Sequence, residues 1–188
     1  IRFPKFIYLD ATKGYTDAEI STLGKGYIKI EGEKSYLEFT YGNIAGDYLV
    51  ESKKDLYALA VDEDTVANIK ADLNNVERVL LSGSGDADVK ISKLKDDLMI
   101  DGEGTKNVSI GKLGTGGITI NKGEKVYLNT GSTNDKIVVS NLKYGEINTG
   151  AGNDTIELGD GNTFADVNTG AGNDFIDARM CNNSDYRI

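Results

Sequence analysis

From residue 76 onward the chain repeats one short pattern, two apolar residues separated by a polar one and followed by a few turn-forming residues. The pairs are Val79 and Leu81, Val89 and Ile91, Leu98 and Ile100, Val108 and Ile110, Ile118 and Ile120, Val126 and Leu128, and Ile137 and Val139. The series continues through Ile147 to Ile156 and Leu158, Ala165 and Val167, and Ile176 and Ala178. Successive pairs lie about ten residues apart, so two steps make a coil of about 19 to 20 residues. Apolar-x-apolar is the period-2 signature of a strand with one buried face. The positions between the anchors, Lys90, Ser109, Thr119, Tyr127, Glu157 and Asp177, are mostly polar, as that reading requires. A helix needs apolar residues at i, i+3, i+4 and i+7, which this region does not supply.

Evenly spaced short strands would also suit an antiparallel sandwich. The turns favour a coil of parallel strands, because their sequences repeat in register at every second step, which a sandwich does not require. The expected fold is all-β, a parallel β-roll or β-solenoid in which each strand pairs with its equivalents above and below and the inward Val, Ile and Leu form ladders through a narrow core. So thin a core competes poorly with the ordering cost of the backbone, above about 1 kcal/mol per residue, and a further source of stability is expected.

The heptapeptide "NTGAGND" occurs at 148–154 and again at 168–174. Its glycines lose much entropy on ordering, and its aspartates repel one another when stacked. Its carboxylates and carbonyls are hard oxygen ligands of the kind calcium takes in six- to eightfold coordination. One such loop has too few ligands, but two loops on adjacent coils can enclose an ion between them. Glycine-rich Asn-Asp turns also occur for purely structural reasons, with Asp accepting backbone amides; near-identical copies one coil apart, each followed by an aliphatic strand, favour a cation.

"TGAGNDTIE" (149–157) and "TGAGNDFID" (169–177) resemble the repeats-in-toxin nonapeptide G-G-x-G-x-D-x-U-x, with Thr at the first glycine. "TGSTNDKIV" (130–138) is a weaker third copy in which Thr133 replaces the later glycine. The resemblance implies a right-handed β-roll with calcium between successive turns, in proteins exported by type I secretion. Carried over position by position, it implies carboxylates from Asp135, Asp154 and Asp174 and carbonyls from Thr149, Gly150, Ala151, Gly152, Thr169, Gly170, Ala171 and Gly172. Gly131 and Thr133 are weaker candidates on the same edge.

The chain departs from the family pattern in its spacing. Family repeats follow one another every nine residues and hold calcium on both edges, whereas here the good turns come once per coil. The opposite edge carries "NLKYG" (141–145) and "GDGNT" (159–163), with Tyr144 and Thr163 near the place of the key Asp. "GSGDAD" (83–88) and "GEGTKN" (102–107) resemble decayed copies on that second edge, so Asp86, Asp88 and Asp160 are weaker metal candidates. An asymmetric roll is expected, with one metal-lined edge and one largely free of metal.

The first 75 residues read differently. They hold most of the ten tyrosines (Tyr8, Tyr15, Tyr27, Tyr36, Tyr41, Tyr48 and Tyr57). The segment 26–43 alternates like two strands around a turn and reads as a hairpin, although apolar centres near 28, 39, 49, 59 and 69 keep the ten-residue spacing and allow coils to begin earlier. The segment 61–76 reads as a short helix, with Asp62, Glu63 and Asp64 at its start and Val66, Ile69, Leu73 and Val76 on one face; another rung is the alternative. The chain thus divides into a β-rich N-terminal segment (1–75), a parallel roll (76–180) and a short tail (181–188).

Several function classes are disfavoured. A formal charge of -9 makes nucleic acid and anionic membrane surfaces poor partners and cations natural ones. No apolar run approaches the roughly 18 to 20 residues that cross a bilayer, so no membrane insertion is expected. With no His and a single Cys, Cys181, there is neither an intramolecular disulfide nor a His-based zinc site or triad. No GxSxG or Walker loop is present, and no enzyme activity is expected. The chain begins at Ile1 without a leader and reads as a piece of something longer. The expected function is a calcium-binding structural module of a secreted, cell-surface protein, a surface layer or adhesin, that folds on extracellular calcium. The alternatives are the secretion and folding domain of a toxin or exported hydrolase whose active domain lies elsewhere, and, more weakly, a carbohydrate-binding module using the N-terminal tyrosines. Self-association through open solenoid ends is a further expectation.

Overall fold

β-Branched and aliphatic residues at every second position, broken by glycine and Asn/Asp, favour short extended segments over helix, and strands are the only regular elements among the described residues. The computed structural model describes the backbone at 5–11, 16–20, 26–32, 35–39, 47–63, 65–66, 68–180 and 185–187, and side chains at 49–50, 56, 58–63, 65–66 and 68–180. The strands are β1 (Lys5–Ala11), β2 (Thr16–Ile20), β3 (Gly26–Gly32), β4 (Ser35–Phe39), β5 (Asp47–Val61), β6 (Asn68–Leu81), β7 (Ala87–Leu94) and β8 (Leu98–Ile110). They continue with β9 (Ile118–Asn129), β10 (Lys136–Val139), β11 (Leu142–Asn148), β12 (Thr155–Leu158), β13 (Phe164–Asn168), β14 (Phe175–Asp177) and β15 (Asp185–Arg187).

Every strand pairing among the described residues is parallel. Parallel pairing of strands close in sequence requires the chain to wind, and the fold is a parallel β-solenoid of about 19 residues per turn. One face stacks β1, β3, the start of β5, the start of β6, β7, the end of β8, the end of β9, β11, β13 and β15. The other stacks β2, β4, the ends of β5 and β6, the starts of β8 and β9, β10, β12 and β14. β5, β6, β8 and β9 are long because each bends round an edge and serves both faces.

The register lines like residues up. Ile118, Ile137, Ile156 and Ile176 form one inward column; Val89, Val108, Leu128, Ile147 and Val167 form another on the opposite face. Apart from Ile176 at the end of its column, these side chains are buried in one continuous core. Each contributes about 1.5–3 kcal/mol of burial, and each also fixes the register, because a one-residue slip would turn the whole column outward.

Two readings of the N-terminal third are corrected. The segment 61–76 forms no helix: Asn68–Leu81 is strand β6, with Ile69, Ala71 and Leu73 buried and Lys70, Asp72 and Asn74 exposed between them. Strands β5 and β7 flank it and accept its backbone groups, and Ala71 completes a period-2 stripe that the helical reading passed over. The residues before it make a turn, with the Thr65 N–H donating to the Asp62 carbonyl at 3.0 Å. The segment 26–43 is not a hairpin either. β3 pairs with β1 and β5, and β4 pairs with β2 and β5, so the two strands belong to opposite faces of one coil. The side chains of the N-terminal tyrosines up to Tyr57, and all of Cys181, lie outside the described residues. β15 falls within the expected tail and pairs with β13.

The one-sided burial gives a test. Replacing inward Ile137 with Ala removes a fully buried side chain from a core with no room to collapse and should cost about 2–4 kcal/mol by urea denaturation, whereas Val138→Ala on the outer face should cost less than about 1 kcal/mol. Equal losses would mean that the assignment of faces is wrong.

Candidate metal centre

The two edges are where the chain turns, and the turns 130–135, 149–154 and 169–174 stack on one of them. Gly150 and Gly170 have φ of 89° and 77°, and Gly152 and Gly172 have φ of 144° and 152°, all in the region that side chains avoid. A Cβ at Gly150, Gly152, Gly170 or Gly172 would also run into a carbonyl of the turn beneath it. Glycine is therefore needed both for the path of the loop and for the stacking distance. The turns are tied by a bridge between Ala151 and Ala171 and by hydrogen bonds from the Ala151 N–H to the Gly131 carbonyl (3.1 Å) and from the Ala171 N–H to the Gly150 carbonyl (2.9 Å).

Three side-chain ladders climb this edge. The Thr149 hydroxyl donates to the Thr169 carbonyl (3.1 Å), and Thr130 Oγ1 lies 3.0 Å from the Thr149 carbonyl while its hydrogen goes to Asp135 Oδ2. The Asn153 N–H donates to Asn134 Oδ1 (2.8 Å) and the Asn173 N–H to Asn153 Oδ1 (2.9 Å). In the third, the Asp135 N–H donates to Asp154 Oδ1 (2.9 Å) and the Asp154 N–H to Asp174 Oδ1 (3.0 Å). The sequence-expected carboxylates Asp135, Asp154 and Asp174 thus form one column, the first two buried at 2% and 1% exposure and the last half-buried.

The three carboxylates are not equally satisfied. Asp135 receives the Thr133 hydroxyl on Oδ1 (2.9 Å) and the Thr130 hydroxyl on Oδ2. In the next turn Gly152 stands where Thr133 stood, and the Thr149 hydroxyl is turned to the Thr169 carbonyl. Asp154 Oδ2 is left buried without a hydrogen-bond partner. An ionised oxygen in that state is costly. The carbonyls differ as well: those of Gly150, Thr169 and Ala171 accept hydrogen bonds from neighbouring turns, and that of Thr149 faces Thr130 Oγ1. Those of Ala151, Gly152, Gly170 and Gly172 accept none among the described residues.

The opposite edge is built from other chemistry. Asp86 is exposed, and its Oδ1 accepts the Thr105 N–H (2.8 Å); Asp88 lies on the outer face of β7 in register with Asn107; Asp160 is exposed in the turn before β13. None of them joins the aspartate column. Asn162 is buried, accepting the Leu142 N–H on Oδ1 (2.9 Å) and donating through Nδ2 to the carbonyls of Val139 (3.2 Å) and Gly159 (2.9 Å). Lys106 is buried too, its ammonium held by main-chain carbonyls, and burial pulls its pKa down to about 8 against the opposing charges of Asp86 and Glu103. Both residues went unremarked in the sequence; the signal for Lys106 was its place two residues before Val108 and four before Ile110, on the inward side of a strand.

No group of three or more acidic, Cys or His side chains is gathered for a metal among the described residues. The first edge instead offers one carboxylate per turn among neutral carbonyls, with one buried carboxylate oxygen unengaged. No protein-family model, curated protein or solved structure matches the chain.

Burial raises the pKa of Asp135 above the aspartate value of 3.8, more than the Thr130 and Thr133 hydroxyls lower it, and the charge of Asp154 adds to the rise. The folded chain then holds this proton more tightly than the unfolded chain, so the contribution of Asp135 to stability is largest below 3.8 and is lost as pH rises through the folded value. In chelator, thermal melts should show stability falling over that window, and Asp135→Asn should flatten the fall.

Proposed function

We propose that this chain is a calcium-binding structural module of a secreted, cell-surface protein, a surface layer or adhesin, similar in build to the repeats-in-toxin rolls, and that calcium completes the folding of its C-terminal coils. The observation that carries the reading is the Asp154 carboxylate, buried in a column of aspartates with Oδ2 unpartnered.

The residues present fit calcium. Asp154 and Asp174 would hold the ion with the unengaged carbonyls of Ala151, Gly152, Gly170 and Gly172, an all-oxygen set that suits a hard cation. When bound, calcium supplies the positive charge that a stack of carboxylates in a thin solenoid lacks. The Thr130 and Thr133 hydroxyls do part of that work at Asp135, which places the demand for an ion one turn further on. With so few carboxylates per site, affinity should fall in the roughly 0.1–1 mM range of extracellular modules. Such a site fills outside a cell and stays empty inside it, which supports a secreted protein whose Gly- and Asp-rich coils order only after export.

Circular dichroism in chelator and in millimolar calcium tests this. Strand content and melting temperature should rise with calcium, and Asp154→Asn should abolish most of the rise while Asp160→Asn on the opposite edge leaves it intact. Identical spectra and melts with and without calcium would remove the proposal.

A further inference from the structure

Lys106 occupies a position that the fold reserves for core residues. It lies inward on β8, in register with Ala87 on one side and Val126 on the other, and is 1% exposed. The small Ala87 leaves room for its stem. The ammonium reaches the second edge, where it donates to the carbonyls of Gly83 (2.9 Å), Gly85 (2.6 Å) and Glu103. These carbonyls come from two successive turns, 82–86 and 101–105. The turns approach so closely that a Cβ at Gly102 would meet the carbonyls of Ser82 and Gly83, and one at Gly104, where φ is 74°, those of Ser84 and Gly85. Among the described residues no carboxylate takes a hydrogen from the ammonium: Asp86 accepts the Thr105 amide, and Glu103 pairs with Lys122 at 3.0 Å.

We propose that the carbonyl cage between the turns 82–86 and 101–105 is a site for a small hydrogen-bonding monovalent cation, and that the chain fills it with its own Lys106 ammonium. The physical grounds are independent of calcium on the other edge. Carbonyls drawn together by stacked glycine turns leave converging lone pairs that need donors or positive charge. An ammonium has three hydrogens, and three carbonyls take them. A cage of neutral carbonyls, with Asp86 and Glu103 near enough to act on its charge but engaged with Thr105 and Lys122, matches one positive charge rather than two. The second edge therefore holds its turns together with a cation fixed by covalent attachment, insensitive to chelators.

The test is chemical rescue of the full chain. Lys106→Ala empties the cage, so its melting temperature should fall, and ammonium or propylammonium chloride should restore it in a saturable way. Tetramethylammonium chloride at equal ionic strength has no hydrogen to donate and should not. Lys106→Met keeps the stem and removes the charge; it should melt lower than the wild type by roughly 5 °C or more, without response to either salt. Wild type should show no difference between the salts, with or without chelator. A Met variant that melts at or above the wild type overturns the proposal, as does an Ala variant that responds equally to both salts or to neither. Should the Ala variant not fold in any salt, the Met variant alone decides.

Discussion

Everything in this molecule depends on stacking at the spacing of paired strands, roughly 4.7–4.9 Å. A residue is not free to differ much from its equivalents in the coils above and below, because each backbone group is hydrogen-bonded to its counterpart and each inward side chain packs on its own kind. The columns Ile118–Ile137–Ile156 and Val108–Leu128–Ile147 show what this does for apolar residues: small contacts repeat into a continuous core. For a charged residue the same rule is a liability. A carboxylate repeated once per coil becomes a line of like charges at strand spacing, inside a body too thin to screen them and too dry to solvate them.

The two edges meet that liability in opposite ways. On the second edge charge is avoided or balanced from within: Asn162 ties two coils with a neutral amide, and Lys106 brings a positive charge to the glycine turns. On the first edge the aspartates are retained, Asp154 and Asp174 each clamping the amide of the aspartate in the preceding turn. That clamp explains why an acidic side chain serves there structurally, since an ionised acceptor makes the stronger hydrogen bond. It uses only one oxygen of each carboxylate. At Asp154 the other is covered by nothing, whereas at Asp135 threonine hydroxyls cover both oxygens.

The solenoid and its turn length were legible because periodicity is a property of the whole chain and survives local irregularity. The placement of Asp135, Asp154 and Asp174 on one edge followed from the same spacing. The segments misread were those where a local pattern imitated another element. Ile69, Leu73 and Val76 fit a helix face as well as a bent strand, and only the partners β5 and β7, distant in that local reading, choose between them. The segment 26–43 resembles a hairpin because its alternation is local, whereas the pairing of β3 with β1 and β5 and of β4 with β2 and β5 is set by strands of other coils. Which oxygen of which aspartate is satisfied could not be read at all, since it depends on whether a threonine hydroxyl turns toward its own loop or toward the next one. Lys106 stood at a visible period-2 inward position, but lysine is rarely fully buried unless its ammonium is bonded, and the carbonyls that bond it are brought together only by the stacking of two turns.

Nearest-neighbour stacking also determines where a bound cation has most effect. A coil covered on both sides gains two interfaces, and its stability comes from packing and the ladder. Among the described residues β14 is short, its Ile176 and the following Ala178 are only partly buried, and Phe175 is 58% exposed. The turn that feeds it, 169–174, is glycine-rich and carries the half-buried Asp174, so it costs much entropy to order and recovers little by burial. The unsatisfied Asp154 oxygen lies in the neighbouring turn. An ion bound between these two turns would act on the interface that the core stabilises least. Among the described residues the second edge and the central coils, with Lys106 and the fully buried columns, have no such deficit, so cation-linked folding is expected to be a property of the C-terminal coils rather than of the whole solenoid.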